Sequence, residues 1–219
     1  EQYEKFLKKA EDTVTGQGAN KKKKKHEYFA SYATMVSSVD DNIKRITDYL
    51  DENNLRENTV IIFTSDNGYH SMASANKQMR GAKGHIYEGG IKVPMFVNWP
   101  KKVTPRRSDI AVSGLDVFPT LMEVANIDDF KGTLDGNSMT NLFYKDDEKL
   151  SKRPLFWHLA SRFKHGTCSV IRKGDYKLIQ FLKDGKLELY NLKDDPKESK
   201  NLSSIELKTT QNLLRELVS

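Results

Sequence analysis

Two oxygen-bearing side chains, Asp66 and Asn67, follow a short apolar run in the first half of the chain. The run is TVIIF, residues 59–63, and the next five residues are TSDNG. Carboxylate and amide oxygens are ligands for hard cations such as Ca²⁺ and Mg²⁺, whereas imidazole and thiolate groups favour zinc. Asp, Asn and Gly are also the residues that commonly end strands and form turns. The residues alone therefore leave two interpretations open, a cation site and a plain turn.

The elements around this pair are typical of an α/β layer. Apolar residues recur at three- and four-residue spacing from Tyr28 to Leu50, which predicts one helix with a buried face. TVIIF is short, β-branched and uninterrupted, as in a strand covered on both sides. A helix packed before such a strand favours a parallel sheet. Ligands in such sheets bind beyond the carboxyl ends of the strands, where Asp66 lies.

More elements follow the pair. Residues 69–90 lack a clear period and are predicted to form a long loop, and long loops in compact domains are usually functional or disordered. KVPMFVNWP, residues 92–100, is a second strand candidate, and a helix is predicted to start near Asp116. Short strand-like runs separated by turn residues begin at Pro154, and an amphipathic helix closes the chain. We therefore predict a mostly parallel α/β core over residues 1–148. A small antiparallel sheet with one helix is predicted over residues 149–219.

Composition limits the function classes. The chain has 219 residues and a formal net charge of +6, and much of that excess comes from the lysine run at residues 21–25. This run is predicted to be a solvated loop, with attraction of a polyanion as the alternative. No apolar run approaches the roughly twenty residues of a membrane helix. The single cysteine, Cys168, excludes an internal disulfide and is predicted to be a buried strand residue. His26 is predicted to lie on the surface and His158 to be packed in the second part of the chain, with a reach into the cleft as the alternative for His158.

Five segments, taken in order, resemble the formylglycine-dependent sulfatases of the alkaline phosphatase superfamily. They are YATMVSSVDDNIKRI, TVIIFTSDNG, the lysine before YEGGIKVP, GLDVFPTLMEVANI, and the closing RKGDYKLI and LELYNLKDDPKESKNL. The resemblance runs from Tyr28 to Leu202 and is to the C-terminal half of such enzymes. It implies an alkaline-phosphatase-like core. Because any one segment is unremarkable, the order of the five makes the resemblance specific.

The resemblance also implies roles for residues of the site. Asp66 and Asn67 would be two ligands of Ca²⁺, in preference to Mg²⁺, and Lys83 would contact the sulfate group of the substrate. A divalent cation and a lysine there would stabilise the negative charge that develops as a sulfate ester is cleaved. His70 and His85 lie in the same loop, and each is a candidate substrate contact, with an exposed loop histidine as the alternative. Glu88 and Lys92 are expected to be structural anchors.

The sequence departs from the family pattern at the nucleophile. That group is a formylglycine made from the Cys or Ser of a Cys/Ser-x-Pro-x-Arg motif, which this chain lacks. The nearest spacing, CSVIR at residues 168–172, has no proline. The first pair of metal aspartates and the upstream sulfate-binding histidine are absent as well. We therefore expect the chain to be part of a longer enzyme, to be inactive without its N-terminal half, and to self-associate through the apolar faces that this half would cover.

Three functions remain open at this stage. The first is a sulfuric ester hydrolase whose substrate is a sulfate ester, with a sulfated glycan as one candidate. The resemblance implies periplasmic or secreted location for such an enzyme. The second is a non-catalytic module that binds an anionic glycan, and a related alternative is a phosphoesterase of the same superfamily. Those phosphoesterases tend to carry Asp-His-Gly where this chain has Asn67, which favours the sulfatase branch. The third is nucleic-acid binding, raised by the basic pI of about 9.1; we expect no such partner, because the charge excess is local.

Overall fold

The computed structural model describes residues 1–13, 19–73, 78–160 and 166–219. These residues divide into two compact units, 1–99 and 100–219. Both units combine helices with strands, which confirms the predicted α/β class. The domain boundary placed at residue 148 from the sequence stays a prediction. Among the described residues, no helix has both the length and the apolar character needed to cross a membrane.

The first unit begins with two packed helices, α1 (Gln2–Thr13) and α2 (Ala19–Glu52). The side-chain amide of Gln2 donates to the Asp41 carboxylate at 3.3 Å, so the start of α1 lies beside the middle of α2. The chain then enters α2 at residue 19, and the two helices therefore run antiparallel. Ala10 and Ala30 are both buried in this unit, and such small side chains allow close helix packing.

The start of α2 corrects two predictions. Lysines 21–25 were predicted to form a loop, but they lie in the first turns of the helix. Lysine is a good helix former, so the run extends the helix rather than ending it. His26 was predicted to lie on the surface, but it is only 8% exposed. His26 precedes the buried Ala30 by four residues, which places both on one face of the helix.

Two short strands and a short helix complete the first unit. A 3₁₀ turn at Arg56–Asn58 leads into β1 (Ile61–Thr64), and α3 (Glu88–Ile91) precedes β2 (Met95–Asn98). Two hydrogen bonds close the two ends of the β1–β2 pair. The Trp99 indole donates to the Glu57 carbonyl at 2.9 Å, and the Thr64 hydroxyl donates to the Pro94 carbonyl at 3.0 Å.

The pairing of these strands corrects the predicted orientation. β1 and β2 are antiparallel, with Ile61 opposite Asn98 and Thr64 opposite Met95, so the parallel arrangement is wrong for this pair. β1 is also not covered on both faces, since Phe63 is 40% exposed. A continuous apolar run indicates a strand, but it does not reveal the direction of the neighbouring strand.

The second unit carries short helices followed by an antiparallel sheet. A 3₁₀ turn at Gly114–Asp116 precedes α4 (Val117–Val124), and a further 3₁₀ turn at Thr140–Phe143 precedes α5 (Glu148–Lys152). The helix start predicted near Asp116 is confirmed. Asp116 is fully buried, and the Arg153 guanidinium donates to both of its carboxylate oxygens. This fork joins the start of α4 to the residue just before the sheet.

The sheet is a meander of four antiparallel strands, as predicted. The strands are β3 (Pro154–Leu159), β4 (Cys168–Lys173), β5 (Tyr176–Phe181) and β6 (Leu187–Asn191), in sequential order. The closing helix α6 (Leu207–Leu217) places Leu213 in a core cluster with Ile171, Leu178 and Leu189. Lys177 and Glu198, both fully buried, form an ion pair of 2.8 Å on the other side of β5.

Candidate functional site

Three segments of the first unit meet backbone to backbone through glycines. The Gly68 N–H donates to the Gly90 carbonyl at 2.8 Å. A Cβ added at Gly68 would lie 2.0 Å from the Gly89 oxygen, one at Gly89 would lie 2.4 Å from the Gly81 oxygen, and one at Gly90 would lie 2.0 Å from the His85 oxygen. Real Cβ atoms do not come this close to other heavy atoms. Only glycine fits at these contacts, which hold TSDNG and α3 together with residues 80–85, the loop around Lys83 that we call the lysine loop.

The lysine loop is fastened to the segment that carries the two oxygen-bearing residues. The Lys83 backbone N–H donates to the Tyr69 carbonyl at 2.9 Å, two residues after Asn67. The Ser65 hydroxyl donates to the Asn67 carbonyl at 2.9 Å, which closes the turn after β1. The side chains of Asp66 and Lys83 are exposed, and Asn67 is half-buried. The fold therefore presents a carboxylate, an amide and an ammonium group to solvent from two loops joined by hydrogen bonds.

His85 shapes the lysine loop. Its Nδ1 lies 2.9 Å from the Ala82 carbonyl oxygen and 3.2 Å from the Ala82 nitrogen, so His85 contacts the residue just before Lys83. Gly81 and Gly84 have positive φ angles of 78° and 85°, a conformation that other residues rarely adopt. The half-buried imidazole and the two glycines thus form a tight turn with Lys83 inside it.

His70 is exposed and contacts the long helix. Its ring stacks on that of Tyr28, with centroids 6.4 Å apart and an interplanar angle of 28°. Tyr28 carried no functional signal in the sequence, where it was only one apolar position of a helix. The stacking places the loop after TSDNG against α2. The substrate roles of His70 and His85 stay predictions.

The residues behind the lysine loop are packed. Glu88, the first residue of α3, is 4% exposed, and its carbonyl accepts from the Lys92 N–H at 2.8 Å. The Arg80 guanidinium lies 3.7 Å from the centroid of the Tyr87 ring, a cation–π contact. The burial of Glu88 agrees with the anchoring role expected for it.

The donor set fits part of a hard-cation site. Asp66 and Asn67 supply oxygen atoms, as Ca²⁺ prefers, but Ca²⁺ takes about six to eight such ligands. In the part of the chain that the structure describes, no group of three or more His, Cys, Asp or Glu side chains is placed to hold a metal ion. A cation bound by Asp66 and Asn67 would need further ligands from outside these residues.

The second unit holds two residues that were weighed as candidates. Cys168 is fully buried, as predicted, and burial raises the pKa of its thiol despite the nearby charge of Lys177. A raised pKa disfavours the thiolate, so this cysteine is a poor nucleophile. His158 is exposed rather than packed, because its position on β3 points away from the buried side; its Nδ1 lies 2.9 Å from the Ser169 hydroxyl oxygen. The prediction of a packed histidine is therefore wrong.

Two family profiles match the chain. The profile described as sulfatase matches residues 2–127, and the profile described as N-sulphoglucosamine sulphohydrolase, C-terminal, matches residues 82–219. Together they cover both units, and the first includes TSDNG and the lysine loop.

Individual relatives agree with the profiles. A sulfatase of Formosa agariphila is 32% identical over 194 residues, covering 79% of this chain and 35% of that protein. An N-acetylglucosamine-6-O-sulfatase of Bacteroides thetaiotaomicron is 28% identical over 190 residues, covering 82% of this chain and 32% of that protein. The crystal structure of Ps i-CgsB in complex with k-i-k-neocarrahexaose superposes with a TM-score of 0.80 at 27% identity, covering 97% of this chain and 45% of that one.

The chain thus spans between about a third and a half of the length of these proteins. The two family profiles together include both the glycine-joined loops and the antiparallel sheet. On the strength of both profiles, this chain belongs to the sulfatase family.

Proposed function

We propose that the chain is the C-terminal part of a sulfuric ester hydrolase and carries part of its cation and sulfate site. The observation that supports this most strongly is the glycine-joined cluster, which fixes the turn with Asp66 and Asn67 against the loop with Lys83. A sulfate ester needs positive charge on its oxygens as the S–O bond breaks, and this cluster presents a lysine beside cation ligands.

The chain's own residues would act by binding and orienting the ester. Asp66 and Asn67 would hold Ca²⁺ together with ligands from the rest of the protein, and the bound ion would polarise the sulfate oxygens. Lys83 would bind the sulfate through its ammonium group, since the turn closed by His85 fixes the base of its side chain. The formylglycine nucleophile would come from outside this chain.

The substrate class proposed is a sulfate ester on a glycan. Two relatives support it: one is called an N-acetylglucosamine-6-O-sulfatase, and another was solved with a neocarrahexaose. Enzymes that act on such polymers meet them outside the cytoplasm, so we propose a periplasmic or secreted enzyme.

The test uses the full-length enzyme, a chromogenic aryl sulfate and metal analysis. Asp66→Ala should abolish turnover and lower the calcium content, because it removes a ligand. Lys83→Ala should lower turnover by about two to three orders of magnitude while leaving calcium bound, because one charged contact to the transition state is lost. Asp128→Ala and Lys131→Ala, exposed residues of the other unit, are matched controls and should leave both properties unchanged.

Two results would contradict the assignment. Normal turnover and normal calcium content in Asp66→Ala would remove the aspartate from the site. Loss of calcium in Lys83→Ala would make the lysine a structural residue. A parent that binds sulfated glycans but turns over no sulfate ester would favour the alternative of a non-catalytic binding module.

A further inference from the structure

The net positive charge of the chain is concentrated between Lys5 and Lys25, in the segment that ends α1 and begins α2. Residues 5–25 contain eight of the 36 Lys and Arg residues but only two of the 30 Asp and Glu residues. The six net charges of this segment equal the formal net charge of the whole chain, +6, and the remaining residues carry 28 charges of each sign. The basic pI of the chain therefore reflects one segment rather than the whole surface.

The fold gathers these charges at one end of the α1–α2 hairpin. We use the name basic hairpin end for three lysines of α1, at positions 5, 8 and 9, and for lysines 21–25 of α2. Because the helices run antiparallel, the end of α1 and the start of α2 lie toward the same end of the pair. Lys5, Lys8, Lys24 and Lys25 are exposed.

This arrangement is electrostatically unfavourable in isolation. The N-terminus of a helix carries the positive end of its dipole, which attracts acidic rather than basic residues. The first turn of α2 has no acidic residue, and the lysine run follows at once. A polyanion bound at this helix start would complement its positive charge.

Neighbouring residues connect the basic hairpin end with the candidate site. Lys24 and Tyr28 are four residues apart and lie on the same face of α2. The Tyr28 ring stacks on His70, which follows Asp66 and Asn67 in the same loop. All of these residues belong to the first unit, so this path does not depend on how the two units are arranged.

From this placement we propose that the basic hairpin end is an accessory binding site for a sulfated polysaccharide, which it holds beside the sulfate-cleaving site. Lysine ammonium groups bind sulfates as point charges without reading a planar group. Several weak contacts to one polymer add through their high effective concentration. The inference rests on the proposed function, which supplies the reason to prefer a sulfated glycan over a nucleic acid.

The expected consequence is a selective effect on polymeric substrate. Without the accessory site, the KM for a sulfated polysaccharide should rise about tenfold or more, because the multivalent contacts are lost. The kcat on polymer and both constants on a small aryl sulfate should not change, since no lysine of the group belongs to the proposed sulfate site.

The experiment compares two variants of the full-length enzyme that differ in the location of five lost charges. One replaces lysines 21–25 with Gln, a comparably good helix former. The matched control replaces five exposed lysines of the second unit with Gln, at positions 102, 131, 145, 183 and 193. Binding is measured by affinity electrophoresis in gels containing κ-carrageenan, neutral agarose or duplex DNA over a range of salt concentrations. Kinetics are measured on carrageenan and on an aryl sulfate.

We expect only the first variant to lose carrageenan retention and to show a shallower dependence of log K on log salt than the wild-type enzyme, because it makes fewer charged contacts. Equal loss in both variants would show that net charge alone is responsible, and this would overturn it. Retention on DNA equal to or stronger than that on carrageenan would overturn it as well. Replacement of lysines 21–25 by Arg should restore retention; failure to do so while Gln abolishes it would mean that helix structure rather than charge was lost. An enzyme inactive on every sulfate ester would refute the proposed function, whereas the gel result would still decide the polymer site.

Discussion

A single methyl group at Gly68 should disable the site without touching any proposed ligand. The Cβ of Gly68→Ala would lie 2.0 Å from the Gly89 oxygen and 2.8 Å from the Gly90 carbonyl carbon. Ordinary van der Waals contact begins near 3.4 Å, so the turn after β1 and the start of α3 must separate by more than 1 Å. The Gly68–Gly90 hydrogen bond of 2.8 Å would be broken by such a shift.

The clash allows an estimate of the loss of stability and of the loss of activity. Overpacking of this kind typically lowers the free energy of unfolding by about 1–3 kcal/mol. A misplacement of about 1 Å between groups that act together costs about a hundredfold in rate. Asp66 lies in the turn that moves, and the loop with Lys83 packs on α3 through the contact of Gly89 with Gly81, so the shift should change the position of Asp66 relative to Lys83. We therefore expect the larger relative effect on activity.

The assay measures aryl sulfate turnover, calcium content and urea unfolding of the full-length enzyme. Gly114→Ala is the matched control, since a Cβ there meets no atom within 4 Å and its φ is not positive. The control should be close to wild type in all three measurements. Wild-type turnover in a folded Gly68→Ala enzyme would refute the reasoning, because it would show that the close contact does not set the geometry of the site.

Three further predictions concern stability and association. Lys177→Met should lower the free energy of unfolding by about 3–5 kcal/mol in urea titrations, because it leaves the Glu198 carboxylate buried without its ion-pair partner, and changing both residues to Met should recover most of the loss. Burial alone would raise the pKa of Asp195, but hydrogen bonds from Ser199 and from the backbone N–H of the residue after it outweigh that effect and lower the pKa below its usual value of about 3.8. The contribution of Asp195 to stability is therefore complete above its unfolded-state pKa and is lost as pH falls through its lower folded-state pKa. Asp195→Asn should weaken the pH dependence of the unfolding midpoint over that acidic range. An unchanged pH dependence in this variant would show that Asp195 is not its cause. The chain by itself should turn over no aryl sulfate and should self-associate in sedimentation experiments, with Met35→Glu reducing association because Met35 is 66% exposed on an apolar face; a monodisperse monomer would contradict this.

Periodicity located most elements of the fold. The long helix, the helix after Asp116, the four-stranded meander and the closing helix all lie where local pattern predicted them. Two features were not predicted from the sequence, because they depend on neighbouring segments that a local residue pattern does not reveal. The direction of β1 against β2 is decided by the chain between them, and the helical state of lysines 21–25 is decided by continuity with α2.

The candidate site shows the same division between chemistry and geometry. The oxygen atoms of Asp66 and Asn67 allow a hard-cation site from their type alone, but Asp-Asn-Gly by itself favours a plain turn until the neighbouring segments are known. The structure adds three glycines whose missing side chains join two loops and a helix. In the sequence these glycines looked like ordinary turn residues, because nothing local distinguishes a glycine needed for its φ angle from one needed for close contact.

The exposed face of α2 links the fold to the length of the relatives. Eight large apolar residues of this helix are more than a third exposed, namely Tyr28, Phe29, Tyr32, Met35, Val36, Val39, Ile46 and Tyr49. Apolar surface of this extent is unusual on a soluble domain unless another element covers it. The related proteins have about 55–68% of their length outside the region matched by this chain. Under the proposed function, one addition would supply both the further ligands of the cation site and a cover for this face of α2, namely more protein packed against the first unit. A single experiment can separate the two needs: an N-terminal half that restores solubility to this chain without restoring calcium binding would show that the fold is completed by that half while the cation site is not.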